Sequence, residues 1–81
     1  MNFQNALQTV LEAKEIGKTV LVHCNNWNEI IWVAFKKDEH GNDICTIFMK
    51  KENGNFFPVV GARFKSFEIQ DLLGEWETVC L

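Results

Sequence analysis

Ile30-Ile31-Trp32-Val33-Ala34-Phe35 and Ile44-Cys45-Thr46-Ile47-Phe48-Met49 decide the fold of this chain. Neither run alternates apolar with polar, so each reads as a strand with apolar side chains on both faces. Such strands need cover on both sides. Between them, Lys36 to Asn42 is a charged turn around Gly41. Upstream, Thr19-Val20-Leu21-Val22-His23 is a short β-branched strand. Downstream, Asn53-Gly54 signals a type I′ hairpin, and Phe56-Phe57-Pro58-Val59-Val60 follows as a strand. Pro58 cannot donate to a ladder, which places this strand at an edge or at a bulge. Gly61 to Lys65 either extends it or turns it.

The two ends complete the pattern. Phe3, Leu7, Val10 and Leu11 form one apolar helical stripe, with Asn2 as N-cap and Gly17 as the stop. Near the other end, Ser66 can cap a short second helix whose Ile69, Leu72, Leu73 and Trp76 share a face. Glu75 to Leu81 closes as a last strand. The order α-β-β-β-β-α-β predicts an α+β domain. It has a mainly antiparallel sheet of about five strands, an N-terminal helix, and a short second helix before the last strand. With 81 residues the chain is a single domain spanning 1–81.

Composition narrows the function. Seven Phe and three Trp, with no Tyr, are many for so small an interior. One helical stripe and a short helix do not cover both sides of the sheet. The surplus therefore reads as a protomer interface, and a homo-oligomer is expected. The net charge of −3 implies no basic surface, so duplex nucleic acid is a poor partner. No apolar run spans a bilayer, and the N-terminus lacks a signal-peptide pattern; a cytoplasmic protein is expected. Three Cys, without CxxC, and two His suggest neither a disulfide framework nor a zinc site. His40, among Asp38, Glu39 and Asp43, reads as a solvated hairpin tip, with a weak metal clip as the alternative.

Nucleophile elbows, phosphate loops and zinc helices are missing from the sequence, so we expect no catalytic residue, no cofactor and no enzyme. His23 and Cys24 are adjacent and point to opposite faces of a strand, which makes a poor dyad. Trp27, set between Asn26 and Asn28 in a polar turn, either folds back as a lid or offers a stacking platform for a base. Asn25, Asn26 and Asn28 would add donors and acceptors suited to a polar ligand. Arg63, the only Arg, is either an exposed strand residue or a bidentate phosphate grip. Asp71 either caps locally or accepts from a ribose hydroxyl or base amine.

Several short motifs carry a family resemblance. Met1-Asn2-Phe3 with Ala6-Leu7, then Gly17-Lys18 with Val20, then Trp27-Asn28, resemble the opening of small phage proteins. These are the Thoeris anti-defence sponges of the second type, formerly a domain of unknown function and related to a small anti-CRISPR family. Asp71-Leu72-Leu73-Gly74-Glu75-Trp76-Glu77-Thr78-Val79 is similar to their ending. Where that family carries Arg before the turn, this chain has Leu21-Val22-His23. The resemblance implies a dimer or tetramer that sequesters a cyclic nucleotide or ADP-ribose-derived immune signal without cleaving it. It carries over to Trp27, Asn28 and Asp71. Its alternative is a protein-binding inhibitor of a bacterial defence complex, of the anti-CRISPR type.

Overall fold

The structure is a computed structural model. It describes every residue except Asp38 and Lys65, and excludes the side chains of Lys37 and Arg63. Its elements are α1 (Phe3–Glu15), β1 (Val20–Cys24), β2 (Ile31–Lys37), β3 (Asp43–Lys50), β4 (Phe56–Arg63), α2 (Ile69–Leu72) and β5 (Trp76–Cys80). The strands form one antiparallel sheet in the order β4-β3-β2-β1-β5. The expected order of elements and the α+β class are what the chain adopts.

The helix begins as expected: Asn2 accepts a 2.8 Å bond from the Asn5 N–H. Gly17 follows its end with φ +71°. The buried stripe is rotated from the expected one, however. Ala6, Val10 and Ala13 face the sheet, with Phe3 half-buried, while Leu7 and Leu11 are exposed. Alanines at the seam let the helix lie close on β1 and β5, and the leucines flank the contact.

β1 is buried along its whole length. Val20, Val22 and Cys24 join α1, Val33 and Trp76 in one core cluster. Leu21 joins Trp32, Ala34 and Phe48 in a second cluster on the opposite face. The first cluster has more cover than the sequence suggested. The segment from β4 to β5 crosses the α1 side of the sheet, and Phe64 and Phe67 lie over that core. Most of the aromatic surplus is spent there. The second cluster contains strand residues alone, with Phe56 and Val79 at its margin.

Three local readings are corrected. The β3–β4 turn sits at Asn53-Gly54 but is not type I′, since no described residue other than glycine has positive φ. Lys51 and Asn55 close a loop over Glu52-Asn53-Gly54, with Gly54 alone at φ +88°. This is the three-residue hairpin that needs one left-handed position. The second helix is capped from Glu68, not Ser66. Its Ile69, Leu72 and Leu73 are exposed, and Asp71 is the residue it buries. Asp71 explains this: its carboxylate accepts the Glu68 N–H at 3.0 Å and its carbonyl accepts the Trp76 indole N–H at 2.8 Å. Those two bonds turn one turn of helix polar side inward.

β4 is an edge strand and also carries a register shift, opposite Thr46 to Phe48, with Gly61 at φ +79°. The strand runs on through Arg63, which settles the open reading of Gly61 onward; Lys65 lies outside the described residues. No helix among the described residues is long and apolar enough to cross a membrane.

Candidate ligand-binding site

Asn26, Trp27 and Asp71 come together where the β1–β2 turn meets α2. Asn26 Nδ2 donates to the Gln70 carbonyl at 2.7 Å. Asn25 Oδ1 accepts the Glu75 N–H at 3.1 Å. Gly74 makes the approach possible, since a Cβ there would meet Asn25 Oδ1 at 2.7 Å and Cys24 Sγ at 2.9 Å. Trp27 is half-buried and folds back onto the core, with its ring centroid 5.2 Å from Trp76 and 5.1 Å from Phe64. Of the two readings of this residue, the geometry is that of the lid. Asp71 is 6% exposed and its carboxylate bonds the Glu68 N–H three residues back, which is the geometry of a local cap. Asn28 lies apart: its Oδ1 accepts the Ile30 N–H at 3.1 Å and shapes the turn into β2. The Arg63 side chain lies outside the described residues, as does Asp38 beside His40; His40 and Glu39 form an exposed pair at 3.4 Å.

A different place offers more to a ligand. On the face opposite α1, a cleft of about 400 Å³ opens against the second core cluster. Its floor is His23, Trp32 and Ile30; Lys50 and Lys51 stand on one side, and Glu29, Glu52 and Glu77 complete the rim. The sheet register assembles it. His23 on β1 pairs with Glu77 on β5, and Trp32 on β2 pairs with Phe48 on β3. Asn28 holds the Glu29-Ile30 corner.

The floor is aromatic, and polar at its edge. The His23 and Trp32 rings stack at 5.0 Å, Phe56 meets Trp32 edge-on at 5.2 Å, and Lys50 Nζ sits 5.9 Å over the indole. These neighbours shield Trp32 to 3% exposure without a covering layer. His23 Nδ1 lies 2.7 Å from the Ile31 carbonyl. A carbonyl only accepts, so Nδ1 carries a proton, and Nε2 is the ring nitrogen left for another partner. Trp32 Nε1 is buried with no acceptor among the described residues. Leaving such a donor unpaired costs about 1–3 kcal/mol, so it calls for a functional or structural explanation.

Cys24 is on the other face, donating weakly to the Asp71 carbonyl at 3.6 Å. Burial pushes its thiol above the ordinary range, aided by the Asp71 carboxylate, against opposing backbone bonds at Asn26 and Asn25. It is a packed thiol rather than an activated one. Among the described residues no three His, Cys, Asp or Glu side chains are grouped to hold a metal ion.

The cleft residues were not singled out from the sequence as a site. The available signals were a histidine inside an otherwise apolar strand and paired lysines ending another. Only register joins His23, Trp32 and Lys50. No family model matches the chain, and neither any curated protein nor any solved structure does.

Proposed function

We propose that this is a non-catalytic phage counter-defence protein that binds and sequesters a cyclic nucleotide or ADP-ribose-derived immune signal. It acts in the cytoplasm of the infected bacterium, as a homo-oligomer. The observation that carries the reading is the mixed-charge cleft, lined by Lys50, Lys51, Glu29, Glu52 and Glu77 around the His23–Trp32 stack. Lys50 and Lys51 suit phosphate oxygens, while His23 Nε2 and the rim carboxylates suit base amines and ribose hydroxyls. The terminal motifs that resemble anti-defence sponges support the same class. Binding without turnover fits a site whose histidine is tied to a backbone carbonyl and whose nearest cysteine is on the far face.

The test is calorimetry with a panel of cyclic and ADP-ribose-type nucleotides, then release by heat and mass analysis. Tight binding to one member and recovery of that ligand intact are expected. Conversion of the ligand, or no binding to any member, overturns the reading. In the binding case, Lys50→Ala with Lys51→Ala should weaken affinity at least tenfold.

The second reading, an inhibitor that binds a bacterial defence protein, is favoured by α2. Ile69 is 76% and Leu73 83% exposed on one short turn. A stoichiometric host partner that is lost on Leu73→Asp, with no nucleotide bound, would select this reading.

A further inference from the structure

We infer that β5 is a pairing edge: two copies of the chain join antiparallel through Thr78 and Cys80, making one continuous sheet. This deepens the assembly part of the proposed function and does not depend on its ligand. A sheet has two edges, and this one treats them differently. β4 is blunted, since Pro58 has no donor and the Gly61 bulge breaks its register. β5 keeps regular register with β1 over all five residues and contains no Pro, Gly or basic residue.

The register shows which of its backbone groups point outward. The Glu75 carbonyl accepts from Asn25, and the Leu81 N–H donates to Thr19, so odd-numbered residues bond inward. Even-numbered residues bond outward. Trp76 is already closed on that side: its N–H donates to the Met1 carbonyl at 2.7 Å and its carbonyl accepts from Met1 N at 3.0 Å. Thr78 and Cys80 are left, each with an N–H and a carbonyl that have no partner among the described residues.

One two-fold register uses all four groups without displacing Met1. It sets Thr78 against Cys80 of the second copy and Cys80 against its Thr78, with the axis at Val79. Val79 then faces Val79 of the second copy as a non-hydrogen-bonded pair, with Cα atoms about 4.5 Å apart. Val79 packs on the strand-only cluster, so the pairing joins two such clusters into one apolar strip. Glu77 meets Leu81 of the second copy, so no like charges are opposed. Two Glu77 residues stay on the order of 13 Å apart, four residues at about 3.4 Å each.

The experiment combines mass in solution with cross-linking. Thr78→Pro deletes an outward N–H and leaves the β1 ladder its bonds. It should halve the native mass or reduce a tetramer to dimers, with an unchanged far-ultraviolet spectrum. Should that variant not fold, cysteine pairs decide. In a Cys80→Ser background, Val79→Cys should oxidise to a covalent dimer, because its Cα spacing fits a disulfide. Glu77→Cys should not. A monomer at every concentration, a folded Thr78→Pro protein of unchanged mass, or equal cross-linking from both positions overturns the inference. Calorimetry with nucleotides is read separately, so loss of pairing with retained binding rejects this interface alone.

Discussion

Trp27 shows how one side chain changes the prediction attached to it. A base-stacking platform could be truncated at little cost to the fold. A ring packed among Trp76, Phe64, Phe67 and His23 cannot. Trp27→Ala should therefore lose about 3 kcal/mol in urea unfolding, in the range of large aromatic truncations in cores. Asp71→Ala should cost about 1–2 kcal/mol, since it leaves the Glu68 N–H without its acceptor at the start of α2. The cysteines separate by access. A thiol reagent should label exposed Cys80 first, half-buried Cys45 more slowly, and Cys24 only on unfolding; mass spectrometry with time reads the order.

Among the elements, β4 and α2 make the sharpest contrast. Gly61 holds a positive φ that a side chain disfavours, although a Cβ there would meet nothing within 4 Å. Gly61→Ala should cost about 1 kcal/mol through the backbone alone, measured by thermal melting. Leu73 is apolar yet almost wholly exposed, so Leu73→Lys should change stability by less than about 0.5 kcal/mol. The elements themselves were legible in the sequence because apolar runs, Asn2, Gly17 and Pro58 are local signals. The face of α2 was not, because Asp71 is turned inward by a bond to Trp76, five residues on and in another element. The aromatic excess was legible as a problem, but its solution was hidden. Phe64 and Phe67 look like loop residues until the chain is seen to cross from one sheet edge to the other. Likewise the cleft needs four strands in register before His23, Glu77, Trp32 and Lys50 share a wall.

For the whole molecule, the two sheet faces carry different chemistry. The α1 side holds the aromatic core and the raised thiols of Cys24 and Cys45. Burial is the main cause for both; at Cys45 the Asp43 charge adds to it and Lys14 opposes it. A thiol pushed up on folding favours the folded state while protonated. That stability is complete below the ordinary thiol range and is lost as pH rises through the folded-state values. Urea midpoints should fall as pH rises above about 9, the range of free thiols. The opposite face, with its cleft, carries the proposed binding, and the β5 edge carries the proposed assembly.

The strand order also sets a timetable. β1 through β4 are joined by short hairpins, so each can find its neighbour as the chain lengthens. β1 is different: its second partner is β5, and Val20 meets Cys80 only across the length of the sheet-forming chain. Such distant pairings are slow compared with hairpins. Until residues 76–80 have left the ribosome, Trp76 is missing from the core and one side of β1 has no ladder. Pairing of β1 with β5 should therefore follow the hairpins, and pulsed hydrogen exchange during refolding should find the β1 amides that bond to β5 protected late.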